Sequence, residues 1–219
     1  MYVTTMTMED RLLAAKVAIT NALADDEIKE RLALLGYNEE RLNAGNELLT
    51  KTEAQYQDQK DEYSEQFQAS ENMQQEWARI KISFRMYTTL ARFLFRKDPT
   101  KMNTLGLSQG QAFKISDWIL QARQFYNNAI NDTEIQAKMA EYSVTSDRLQ
   151  TALQEVVKLE EMKIIQEKEK GEAQRATQKR DELFAQLDEY MYGLIQIARV
   201  VLYDKEQLLE KMGIVAPSD

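Results

Sequence analysis

Two arginines carry the strongest hint of chemistry in this chain. Arg92 lies in LARFLF and Arg199 in IARVVL, each inside an apolar helical stretch. A partly buried guanidinium needs an acidic or carbonyl partner, because a buried charge without one is very costly. Either each arginine is tied to a carboxylate and fixes helix register, or it faces a pocket for a carboxylate or phosphate ligand. The acids Asp10 and Asp117, Asp25 and Asp132, and Glu27 and Glu134 are available for the first role, and that structural tie is the simpler expectation. Tyr56, Tyr63 and Phe67 form a second candidate. They sit in a polar stretch of Gln, Asp, Glu and Lys, where aromatic side chains mark either a partner surface or packing against the rest of the chain.

What is missing narrows the chemistry further. The chain has no histidine and no cysteine. Thiolate nucleophiles, disulfides, the usual zinc sites, iron–sulfur clusters and Ser-His-Asp catalysis are therefore all removed. A carboxylate-bridged di-iron bundle ordinarily takes a Glu-x-x-His motif from each of two helices, so the many acids alone argue for no metal. P-loop, dinucleotide and nucleophile-elbow sequences are absent, and Gly45, Gly110, Gly171 and Gly193 are isolated. The expectation is a protein that is not an enzyme and holds no cofactor.

A net charge of −8 opposes nucleic-acid binding, which rests on neutralising phosphates. The start MYVTTMTMED has no basic or apolar leader region. The most apolar stretches, 82–95 and 190–203, are too short to span a bilayer and are interrupted by Arg85, Arg92, Gln196 and Arg199. No membrane span is expected, and a cytoplasmic location is the default.

The elements that must position these residues come twice. Shifted by about 107 residues, the two halves align almost without gaps and match at roughly twenty places. Asn21-Ala22, Asp25 and Glu27-Ile28 fall on Asn128-Ala129, Asp132 and Glu134-Ile135; Ala91-Arg92 falls on Ala198-Arg199, and Gly106 on Gly213. This reads as two helical repeats, 1–107 and 108–214, with 215–219 as a tail.

Within each repeat the periodicity is helical throughout. Leu12, Ala15, Ile19 and Ala22 recur at steps of three and four, as do Ile119, Ala122, Tyr126 and Ala129. Ser108 with Gln111 resembles a capping box for the second of these helices. Short helices should start at Asp25 and Asp132 and stop near Gly36 and Ser143. The closing helices should start at Asp98-Pro99 and at Asp204, and end at Gly106 and Gly213.

Between them lies a long segment with a heptad-like stripe: Leu42, Leu49, Tyr56, Tyr63, Ser70, Trp77, Phe84 and Ala91. It fits one helix of about sixty residues, near 90 Å long, or a hairpin turning near 68–72 and 168–178. The hairpin is the expectation, because the polar run Gln166–Glu182, with Gly171 inside it, reads as an exposed turn; the unbroken phase of the first repeat argues for the single helix.

The expected fold is therefore all-α: a tandem duplication forming two up-down bundles with long antiparallel helices. The leading functional expectation is a non-enzymatic interaction or scaffold protein with a protein partner. The alternative is a small-molecule protein holding an anionic ligand between helices near Arg92 or Arg199.

Overall fold

The computed structural model describes residues 6–215, and every regular element among them is an α-helix. In chain order these are α1 (Met8–Ala24), α2 (Asp26–Ala33), α3 (Glu39–Leu94), α4 (Pro99–Thr104), α5 (Ile115–Asn131), α6 (Thr133–Ala140), α7 (Ser146–Val201) and α8 (Glu206–Lys211). Of the expected tail, residues 216–219 lie outside the described residues. No described helix is long and apolar enough to cross a membrane.

Local chemistry sets most of the boundaries. Thr7 and Asp10 form a reciprocal capping box at α1. Asp25 and Asp132 cap α2 and α6 by accepting from the Ile28 and Ile135 amides. Gly36 and Ser143 both adopt positive φ after these helices. Behind them the Tyr37 and Val144 amides reach back to Leu32 and Met139, closing the helix ends in the Schellman manner. Gly106 and Gly213 do the same for α4 and α8, with Leu107 and Ile214 donating to Met102 and Leu209 at 2.9 Å.

Two expected starts are displaced. Helix α5 begins at Ile115 with Lys114 at its cap, not at Ser108. The intervening loop is instead held by Gln121, which accepts from the Ala112 amide and donates to the Gly110 carbonyl. Helix α8 begins after Lys205 rather than Asp204, because Asp204 is engaged by Arg31 at 2.5 Å.

The long segments are not hairpins. Both α3 and α7 are continuous helices of 56 residues, and the run 166–182 is helical across Gly171. The physical reason lies in the size of the contacting side chains. Ala173 and Ala176 are buried within this run, so the helix packs there through alanine. The lack of large apolar residues reflects close contact and not a turn.

The described chain forms two compact units, each drawing on both halves of the sequence. Unit 1 takes the chain up to Tyr63 and from Glu172 onward; unit 2 is the continuous stretch Ser64–Gly171. In unit 1 the core joins Leu12, Ile19 and Ala22 of α1 and Ile28 and Leu32 of α2 to Leu42 and Leu49 of α3, Leu194 and Ala198 of α7, and Leu209 of α8. Here α3 and α7 run antiparallel: Tyr37 just before α3 meets Tyr190, Tyr56 meets Phe184, and Gln59 meets Arg180. Gly45 makes room for this approach, since a Cβ there would fall inside the Tyr190 ring, whose hydroxyl donates to the Arg41 carbonyl at 3.1 Å. Unit 2 is built on aromatic side chains, with Phe84 edge-on to Trp118, Phe125 and Tyr126.

The matched Asn and Asp residues have the same work in both units. Asn21 donates to the Lys211 carbonyl and Asn128 to the Thr104 carbonyl, each at 2.6 Å. Asp25 pairs with Lys211 at 2.8 Å and Asp132 with Lys101 at 2.6 Å. Both ties fasten a short helix onto the junction of two others: α8 onto α1 and α2 in unit 1, and α4 onto α5 and α6 in unit 2.

A candidate ligand pocket beside Arg199

Arg92 and Arg199 occupy the last turns of α3 and α7, where a positive charge is favoured by the helix dipole. Neither forms an ion pair among the described residues, so the expected arginine–carboxylate tie is not made by these two. The acids proposed for it are used otherwise. Asp25 and Asp132 pair with lysines, Asp10 belongs to the α1 capping box, and Glu27 meets Arg31 and Lys205.

Arg199 lies in the wall of a cavity of about 320 Å³ in unit 1. Helix α1 supplies Arg11, Ala15 and Ala18, α7 supplies Leu187, Asp188, Met191, Ile195 and Arg199, and Met212 closes the end. Three of these side chains are charged. Arg11 is already satisfied, because its Nε donates to Asp188 Oδ1 at 3.1 Å and its Nη2 to Asp188 Oδ2. Its guanidinium also lies 4.7 Å from the centre of the Phe184 ring. Arg199 differs: its Nε is buried and has no hydrogen-bond partner. The wall thus combines a neutralised pair, one guanidinium without an ion-pair partner, the polar side chains of Tyr192 and Gln196, and a largely apolar remainder.

At the same spacing in unit 2 the room is filled. Where unit 1 has Arg11, Ala18 and Met191, unit 2 has Trp118, Phe125 and Phe84. All three are buried, with ring centres 5.1 Å apart for Phe84 and Trp118 and 5.7 Å apart for Phe84 and Phe125. Arg92 stands at the place of Arg199 there.

The aromatic candidates separate. Tyr56 is internal to unit 1: its hydroxyl donates to Glu9, its ring packs edge-on to Phe184 at 5.9 Å, and Lys60 lies over its face. Tyr63 and Phe67 are exposed, at 55% and 70%. A larger exposed apolar face was not singled out from the sequence. Ile82, Met86, Leu90 and Phe93 line a shallow groove with Arg85 and Thr89 on the last turns of α3. Its signal was the spacing of these residues along one side of the helix, masked by the equally apolar opposite side.

Burial pushes the Tyr190 hydroxyl up to about 12, reinforced by the neighbouring Tyr37. Lys211 and the Ile28 amide hold Asp25 below the usual carboxylate range, and Lys101 and the Ile135 amide do the same for Asp132. Comparison with protein-family models, with curated proteins and with solved structures finds no match to this chain.

Proposed function

We propose that the chain is a non-enzymatic small-molecule-binding protein whose site is the unit 1 cavity. One observation carries the reading: a cavity of about 320 Å³ has in its largely apolar wall an arginine, Arg199, that forms no ion pair among the described residues. A guanidinium set among apolar groups is costly without a counter-charge, so a side chain kept in that state calls for an anionic ligand. Apolar cavities with a few convergent polar groups are the usual form of ligand sites, at about 300–1,000 Å³. The same reading treats the chain as a tandem duplication. Supporting it, the helices of each half have 17, 8, 56 and 6 residues in the same order.

Arg199→Met tests the proposal through two measurements on the purified full chain. Native mass spectrometry is expected to show an additional retained mass on the parent and none on the variant. Thermal melting of the ligand-stripped proteins is expected to leave the variant as stable as the parent or more so. A variant less stable by about 1 kcal/mol or more would make Arg199 a structural cation and end the proposal.

A second reading, protein interaction, is favoured by the groove on α3. Residues 77–97 hold six Lys and Arg and no acid, within a chain of net charge −8, and Ile82, Met86 and Phe93 are exposed among them. That combination fits an acidic amphipathic helix as partner. A designed Leu/Glu helical peptide, followed by fluorescence anisotropy, is expected to bind in a salt-dependent manner and to lose binding with Ile82→Asp. Undiminished binding by that variant would exclude the face.

A further inference from the structure

We infer that the unit 1 cavity takes an aliphatic monocarboxylate, and that the chain holds one such site. This rests on the pocket reading above and specifies its ligand.

The head group follows from charge. Arg11, Asp188 and Arg199 are the charged lining residues, and Asp188 already neutralises Arg11 through a two-point contact. One positive charge remains for the ligand. A carboxylate can accept from the terminal nitrogens of a guanidinium, and Asp188 already engages Arg11 by charge-assisted hydrogen bonds in the same wall. A dianion such as a phosphate monoester would bring a second negative charge beside Asp188 with no cation left to meet it. An ammonium would meet Arg199 directly.

The body follows from the rest of the wall. Apart from Gln196, its uncharged interior residues Ala15, Ala18, Leu187, Met191, Ile195 and Met212 present methyl, methylene and thioether groups. Methionine adapts to irregular apolar shapes, and the one aromatic lining residue, Tyr192, is exposed. Such a wall suits an alkyl chain better than a flat ring system needing a stacking face.

The stoichiometry follows from unit 2. Trp118, Phe125 and Phe84 are buried against one another where unit 1 has Arg11, Ala18 and Met191. The volume beside Arg92 is occupied by the protein's own side chains, so the second copy of the arginine does not make a second site.

Isothermal titration calorimetry of the full chain with decanoate, decylamine, 1-decanol and decyl phosphate tests this. Decanoate is expected to bind at one site per chain, and the other three at least tenfold more weakly. Ala18→Phe, which places in unit 1 the side chain that fills unit 2, and Arg199→Gln should each weaken decanoate at least tenfold. Circular dichroism confirms folding; if Ala18→Phe melts far below the parent, Met191→Phe serves as the plug, and if both do, Arg199→Gln decides. Equal or tighter binding of decanol or decyl phosphate, two decanoate sites, or no decanoate binding would overturn the inference. The pocket reading survives those results if native spectra still show a retained mass that Arg199→Met removes. Decanoate binding unchanged in both a folded plug variant and Arg199→Gln would end both.

Discussion

Gly45 and Tyr190 are a matched pair, and so are Gly193 and Tyr37: in each, a Cβ on the glycine would enter the tyrosine side chain. The corresponding places of unit 2 hold Ala152 with Ser83 and Met86 with Val144, so size has been exchanged between facing positions. Gly45→Ala should therefore lower stability by about 1–3 kcal/mol through overpacking. In a Tyr190→Ala background it should instead gain up to about 1 kcal/mol of helix propensity; urea denaturation of the double-mutant cycle measures both. The paired lysine–aspartate ties predict a pH effect. Asp25 and Asp132 are held low in the folded chain, so their stabilisation is complete above the unfolded carboxylate value of about 4 and is lost as pH falls through the lower, folded value. Asparagine retains the helix cap but not the ion pair. Melting temperatures of Asp25→Asn/Asp132→Asn should accordingly fall less steeply below pH 4 than those of the parent. Sequence spacing singled out Arg199 because it repeats. It passed over Arg11, Asp188 and Ala18 because they do not, and a cavity is defined by what one copy lacks relative to the other.

At the level of the element, caps and glycine stops were legible, because each depends on a few adjacent residues: Asp25, Asp98, Asp132, Gly106 and Gly213 all act as their local chemistry requires. The continuity of α7 was not legible. A polar run with a glycine resembles an exposed turn until one knows that Ala173 and Ala176 are buried contacts. Gly171 provides the check. It is helical, and a Cβ there meets nothing within 4 Å, so Gly171→Ala should raise stability by about 0.8–1 kcal/mol. The shift in urea midpoint measures it, and a loss of stability would be incompatible with a continuous helix.

For the whole molecule, the division into units cuts across the two halves of the sequence, since unit 2 is the continuous stretch Ser64–Gly171 and unit 1 combines the segments on either side of it. A fragment of residues 64–171 carries a full core and should fold alone as a helical monomer with a cooperative melt. Residues 1–107 carry part of each core, so that fragment should remain unfolded or assemble as a dimer; light scattering with circular dichroism distinguishes the outcomes. Pairing across the two halves could not be deduced from periodicity, which records that a face is apolar but not which helix covers it. Vectorial synthesis adds an asymmetry in time. Residues 6–63 leave the ribosome well before α7 and α8, which complete their core and are finished about 150 residues later, a wait of about 8–30 s at ordinary translation speeds. Unit 2, made in one stretch, closes in the meantime. The cavity beside Arg199, walled by α1 on one side and by α7 and Met212 on the other, exists only once Met212 has been made, so a nascent polypeptide still lacking α7 has no site in which to sequester a ligand.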